Sequence, residues 1–133
     1  MGAAQAIAGG GGPHPPKELV GLLLLDPCSR GRYGLRFSDR TDFLPTGPGT
    51  FSAAEFTKTM GRLHVVQWHA AQDSIDSRAW LHALTAPHKE LDFGETGHYY
   101  DVDREKFLSE MVDCIPWILD TQNHALTATG SNK

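Results

Sequence analysis

Apolar positions gather into short runs separated by polar or glycine- and proline-rich stretches. Residues 19–25 read Leu-Val-Gly-Leu-Leu-Leu-Leu, with no polar alternation, between Pro15-Pro16 and Asp26-Pro27. A run this short and so bracketed predicts a strand covered on both faces, as in a parallel sheet. Residues 63–68, Leu-His-Val-Val-Gln-Trp, carry the β-branched and aromatic content of a second strand. Glu90-Leu91-Asp92-Phe93 predicts a short third one. Helical segments fall between these. Residues 3–8 are rich in alanine and predict a short helix, stopped by Gly9-Gly10-Gly11-Gly12. Ser52-Ala53-Ala54-Glu55 is a capping box that opens a helix ending near Gly61. Asp76 caps a helix over 77–84, which Pro87 stops from running on. Residues 104–119 form the longest helix, with Phe107, Met111, Ile115 and Ile118 on one face and Pro116 kinking or ending it. Residues 28–50 read as irregular. The alternation of helix and strand predicts an α/β fold, a parallel sheet of about three strands flanked by helices, with ligand sites at the strands' carboxyl ends.

Composition narrows the classes. The 133 residues fit one domain, expected over 1–120, with a polar tail over 121–133. Hydrophobic residues at 40% and charged residues at 21% are ordinary for a globular chain and argue against wholesale disorder. A net charge of −4 without a basic cluster argues against nucleic-acid binding. A membrane-spanning helix needs about 20 apolar residues, and the longest apolar run is 19–25, so no membrane partner is expected. The opening residues lack the basic segment of a secretory leader. Cys28 and Cys114 form neither a disulfide framework nor a CxxC site. Together these lead to the expectation of a cytoplasmic protein.

Two loops expected at strand carboxyl ends each hold one titratable residue suited to catalysis. Asp73 follows the second strand, and His98 follows the third within Gly94-Glu95-Thr96-Gly97-His98-Tyr99-Tyr100. Neighbouring parallel strands bring such loops side by side. A carboxylate there accepts from the imidazole, fixes its tautomer and stabilises the imidazolium. The bland alternative gives Asp73 a helix-capping role, for which Asp76 is better placed, and makes His98 a surface residue. Of the other histidines, His64 lies within a strand, His14 among prolines, and His69 ends a strand without an evident partner. His82 sits on a helix, His88 follows Pro87, and His124 is in the tail. None forms a zinc-ligand pattern, so neither metal nor organic cofactor is expected.

Three blocks of the chain resemble the carboxyl-terminal part of an α/β-hydrolase. Asp73-Ser74-Ile75-Asp76 after an apolar strand resembles that family's acid loop. Gly97-His98 before a final amphipathic helix resembles its histidine loop. Met1-Gly2-Ala3-Ala4-Gln5-Ala6 through Leu22-Leu23-Leu24-Leu25-Asp26-Pro27 resembles the stretch from the nucleophile elbow, G-x-S-x-G, through the next strand. The resemblance implies a partial α/β-hydrolase fold and a serine hydrolase acting on a small-molecule ester or amide, with Asp73 and His98 as acid and base. Met1 then matches the residue after the nucleophile serine, and its amide matches an oxyanion-hole donor. The serine itself would precede position 1, so the chain reads as a truncated product, a start at an internal methionine, or a complementing fragment. No other serine has an elbow's flanking glycines, although Ser29 and Cys28 lie at a strand's end. Residues 28–51 take the place of a cap, with Tyr33, Phe37, Phe43 and Phe51 as apolar lining and four arginines as a rim; an ordinary surface loop is the alternative. The chain alone is expected to be inactive. The competing reading is a non-catalytic remnant that associates with itself or a partner through an exposed sheet edge.

Overall fold

The computed structural model describes residues 2–33, 46–70, 78–94, 100 and 103–119. Helix α1 (Gly2–Gly11) leads to strand β1 (Gly21–Leu25). Strands β2 (Arg30–Arg32) and β3 (Thr50–Ser52) follow, then a 3-10 turn (Ala53–Phe56). Strand β4 (His64–His69), helix α2 (Arg78–His82), strand β5 (His88–Asp92) and helix α3 (Arg104–Leu119) complete the order. The main sheet has three strands in the order β1-β4-β5. Both pairings are parallel, Leu23 facing Val66 across the first and Gln67 facing Glu90 across the second. The predicted α/β class and strand number therefore hold.

The core forms two layers, one on each face of the sheet. Ala4, Ile7 and Ala8 of α1 pack with Leu22, Leu24, Val65, Trp80 and Leu81 on one side. Val66 and Trp68 pack with Phe93 and Tyr100 on the other, under Phe107, Met111, Cys114, Trp117 and Ile118. Successive strand residues point to opposite faces, so the unalternating leucines of β1 serve both layers: Leu22 and Leu24 one, Leu23 and Leu25 the other. All six residues of β4 are buried, as befits its central place.

Local structure departs from the sequence expectation where packing outweighs propensity. Helix α1 continues through Gly9 and Gly10 to Gly11 instead of stopping at residue 8. A Cβ on Gly11 would lie 2.9 Å from Phe56 Cβ, so the helix end approaches the 3-10 turn where only glycine fits. The capping box at Ser52 and Glu55 is present. It opens a single 3-10 turn, however, because the Thr57 carbonyl accepts from the Thr85 amide at 2.9 Å rather than from a helical successor. Residues 28–50 are not wholly irregular, since β2 and β3 pair antiparallel with Gly31 opposite Phe51. Pro116 does not end α3, which runs to Leu119. Val112, whose carbonyl loses its helical donor there, and Pro116 both lie on the exposed side, where water replaces the bond. Ile115 is 47% exposed. The seam facing the sheet passes through Phe107, Met111, Cys114 and Ile118 instead.

Candidate functional site at the carboxyl edge of the sheet

Parallel strands end together, and here their ends carry a buried polar network. The last register pairs are Leu25 with Trp68 and His69 with Asp92. Asp26, the next residue after β1, is 5% exposed. Both its carboxylate oxygens accept from the Ala70 amide at 3.1 Å, just past the end of β4. One of them also accepts from the Tyr100 hydroxyl. Asp26 thus ties the end of β1 to the exit of β4 and to the approach to α3. Asp26 at φ 40° and Tyr100 at φ 54° are the non-glycine residues with left-handed backbone among those described. Such conformations persist where surrounding contacts over-determine them, and here the two are bonded to each other.

His69 sits beside this clamp, 3% exposed. Its Nδ1 lies 3.9 Å from Asp26 Oδ1, and its Nε2 lies 3.2 Å from Glu90 Oε1. Burial, and then the Arg78 charge, hold its pKa below the usual 6.5 against the opposing pull of the carboxylates. The Gln67 carboxamide is oriented by Trp80, whose indole N–H donates to its oxygen at 2.8 Å. The Gln67 amide nitrogen is consequently turned toward His69 Nε2 at 3.3 Å. A neutral His69 either accepts from Gln67 there or donates to Glu90, not both. Glu90 also meets His82 at 2.7 Å and Arg78 at 3.6 Å, and Arg78 reaches Asp92 at 3.4 Å. The Gly94 amide donates to Asp92 at 2.7 Å and, with Arg78, holds its carboxyl below the ordinary range.

The residues singled out by sequence, Asp73, His98 and Met1, lie outside the described residues. The described neighbours show what the sequence reading missed. His69 has partners at the end of its strand in Asp26 and Glu90, and Asp26 in turn bonds Tyr100. Asp26-Pro27 following a leucine run was the available signal, since a carboxylate directly after a buried parallel strand lands at the edge where ligands bind. Tyr100 and Glu90 gave none, because their contacts with Asp26 and His69 depend on register. His64 lies at the opposite end of β4, where its Nδ1 bonds the Trp117 carbonyl at 2.9 Å near the end of α3. Cys28 is buried, and burial pushes the Cys114 thiol up, so it is not a ready nucleophile. Of the aromatics expected to line a cap, Phe51 is core, Tyr33 is 58% exposed and lies against it with the rings tilted at 43°, and Phe37 and Phe43 lie outside the described residues. No group of His, Cys, Asp and Glu able to hold a metal occurs among the described residues. No helix among them is long and apolar enough to cross a membrane. No protein-family model, curated protein or solved structure matches this chain.

Proposed function

We propose that this chain is the carboxyl-terminal half of an α/β-hydrolase-like serine hydrolase acting on a small-molecule ester or amide. In this reading a serine supplied outside these residues attacks the carbonyl. His98 takes the hydroxyl proton and returns it to the leaving group, while Asp73 fixes the tautomer and stabilises the imidazolium. The Met1 amide contributes to the oxyanion hole. The observation that supports it is the pairing of β4 and β5. They are parallel neighbours, with His69 opposite Asp92 in the last register pair, so the segments bearing Asp73 and His98 depart from adjacent points on one edge. Titration of the His98 ring by NMR tests the dyad. A paired His98 titrates above the ordinary histidine value, and Asp73→Asn lowers it by about 1–3 units. A His98 pKa indifferent to Asp73→Asn sinks the proposal. The purified chain is expected to show no turnover of p-nitrophenyl acetate, and turnover abolished by His98→Ala would show that a nucleophile is already present.

The second reading, a non-catalytic fragment that associates through its sheet edge, is favoured by β1. Its flank away from β4 faces no described strand, and its sequence is Gly-Leu-Leu-Leu-Leu. An open apolar edge of this kind pairs readily with another chain. Concentration-dependent sedimentation supports that reading, and a monomer at every concentration removes it.

A further inference from the structure

The opposite edge of the sheet carries a different feature. At the amino ends of β1 and β4, an open cleft of about 430 Å³ lies between the 12–20 connection and the 57–63 turn. That volume falls within the range of small-molecule sites, roughly 300–1,000 Å³. Its floor is apolar, made by Leu19, Val20, Met60 and Leu63, and Pro15 with Pro16 forms a stiff wall. Val20 is 40% exposed there, an apolar side chain left to water by the folded chain. Lys17 and Arg62 also line the cleft, and no acidic residue among those described does. Neither cation forms an ion pair with a described residue.

We infer that this cleft binds a single-chain fatty carboxylate, head group at Lys17 and Arg62 and hydrocarbon over Val20 and Leu19. The charge complement is one-sided: two cations and no carboxylate require an anionic head. The guanidinium of Arg62 presents a planar fork matched to a carboxylate, and Lys17 adds a point charge. The apolar floor beside them requires a tail, since a small inorganic anion would leave Val20 and Leu63 exposed. Backbone closure keeps the cleft in shape: Leu19 donates to the Pro16 carbonyl at 3.2 Å and Leu63 to the Met60 carbonyl at 3.1 Å. The cleft lies at the amino ends of β1 and β4, away from the carboxyl ends of β4 and β5, and the inference does not rest on the proposed hydrolase chemistry.

Octanoate titrated into the isotopically labelled chain tests the inference, followed by amide NMR shifts. Shifts should concentrate at Leu19, Val20, Gly61, Arg62 and Leu63. Arg62→Ala should weaken octanoate binding roughly tenfold, the scale of one charge-assisted hydrogen bond. Arg62→Lys should recover part of it, and octanol and acetate should each bind more weakly than octanoate. Both variants alter an exposed side chain, and an unchanged amide spectrum elsewhere verifies the fold. Equal binding of octanol, an Arg62→Ala affinity equal to wild type, or shifts at the carboxyl edge instead of the cleft would each overturn the inference. Tighter binding of octyl phosphate than of octanoate would overturn the choice of carboxylate.

Discussion

Asp26→Asn is the most telling perturbation of the carboxyl-edge network. Asparagine keeps the size of the side chain and tolerates the left-handed backbone that Asp26 adopts at φ 40°. What it removes is one acceptor oxygen and the negative charge. In the native chain the carboxylate receives the Ala70 amide at 3.1 Å and the Tyr100 hydroxyl, in a site 5% exposed. A hydrogen bond to a charged group contributes about 1.5–3 kcal/mol. The asparagine oxygen that takes the place of Oδ2 still reaches both donors but without charge assistance, and the amide nitrogen that takes the place of Oδ1 sets a second donor against the Ala70 N–H. A loss of about 2–4 kcal/mol is therefore expected, a large part of the roughly 5–15 kcal/mol that holds a small domain together. Urea unfolding followed by tryptophan fluorescence measures it, Trp68 lying 6.0 Å from Tyr100. Tyr100→Phe deletes the hydroxyl alone and completes a double-mutant cycle. It should cost more with Asp26 present than in Asp26→Asn, where the acceptor is uncharged, a coupling of about 1 kcal/mol or more. Equal costs in both backgrounds, or an Asp26→Asn loss below about 0.5 kcal/mol, the scale of an ordinary surface change, would refute the clamp.

His69 gives a pH prediction. Its folded pKa lies below 6.5, so as pH falls through 6.5 the unfolded chain takes up the proton first. Its contribution is complete above that pH and is lost progressively below it. Thermal melts between pH 7.5 and about 5 should show the decline, and His69→Gln should flatten it; an equal slope in the variant would assign the decline elsewhere. Gly21→Ala should destabilise by about 1–3 kcal/mol in chemical unfolding, because the added Cβ would sit 2.4 Å from the His64 carbonyl oxygen and 2.5 Å from Ile118. A neutral result would mean that β1, β4 and α3 separate easily there. Pro116→Ala should stabilise by about 1–3 kcal/mol, restoring a helical donor at an exposed position. A destabilised variant would show that α3 depends on a bend at that proline.

The fold was legible wherever one local rule sufficed. The run 19–25, six apolar residues and Gly21, favoured a covered strand over a helix only through its length and flanking prolines, and the alternation of elements led to a parallel sheet with both faces packed. The misjudged boundaries share a cause. Gly9 to Gly11 have poor helix propensity, yet they stay helical where α1 closes against Phe56 and Leu63. Ile115 satisfied the helical spacing, but the seam of α3 is set by where Trp68 and Phe93 stand beneath it, and Cys114 fills that place. The edge network was less legible still. Asp26 and His69 were visible as residues at strand ends, but Tyr100 lies 74 positions from Asp26, and no spacing rule joins them.

The two outer strands are finished differently, and that difference orders the molecule. Strand β5 carries His88, Lys89, Glu90 and Asp92, and charge of this kind discourages pairing with another strand. Glu90 and Asp92 of this strand also supply the ion pairs to Arg78, His82 and His69. One set of residues therefore blunts an edge and builds the polar rim of the carboxyl end. Strand β1 has no such charge of its own and no described strand along its outer flank, and its polar residue comes only after the strand has ended, at Asp26. Asp26 is turned inward to Ala70 and Tyr100 rather than outward along the edge. The chain thus concentrates its buried charge at one end of the sheet, where β4 and β5 stop, and leaves its apolar backbone edge on the far flank. The polar network at the first and the apolar edge at the second lie apart, so substitutions at Asp26 or Glu90 and substitutions along β1 address them separately.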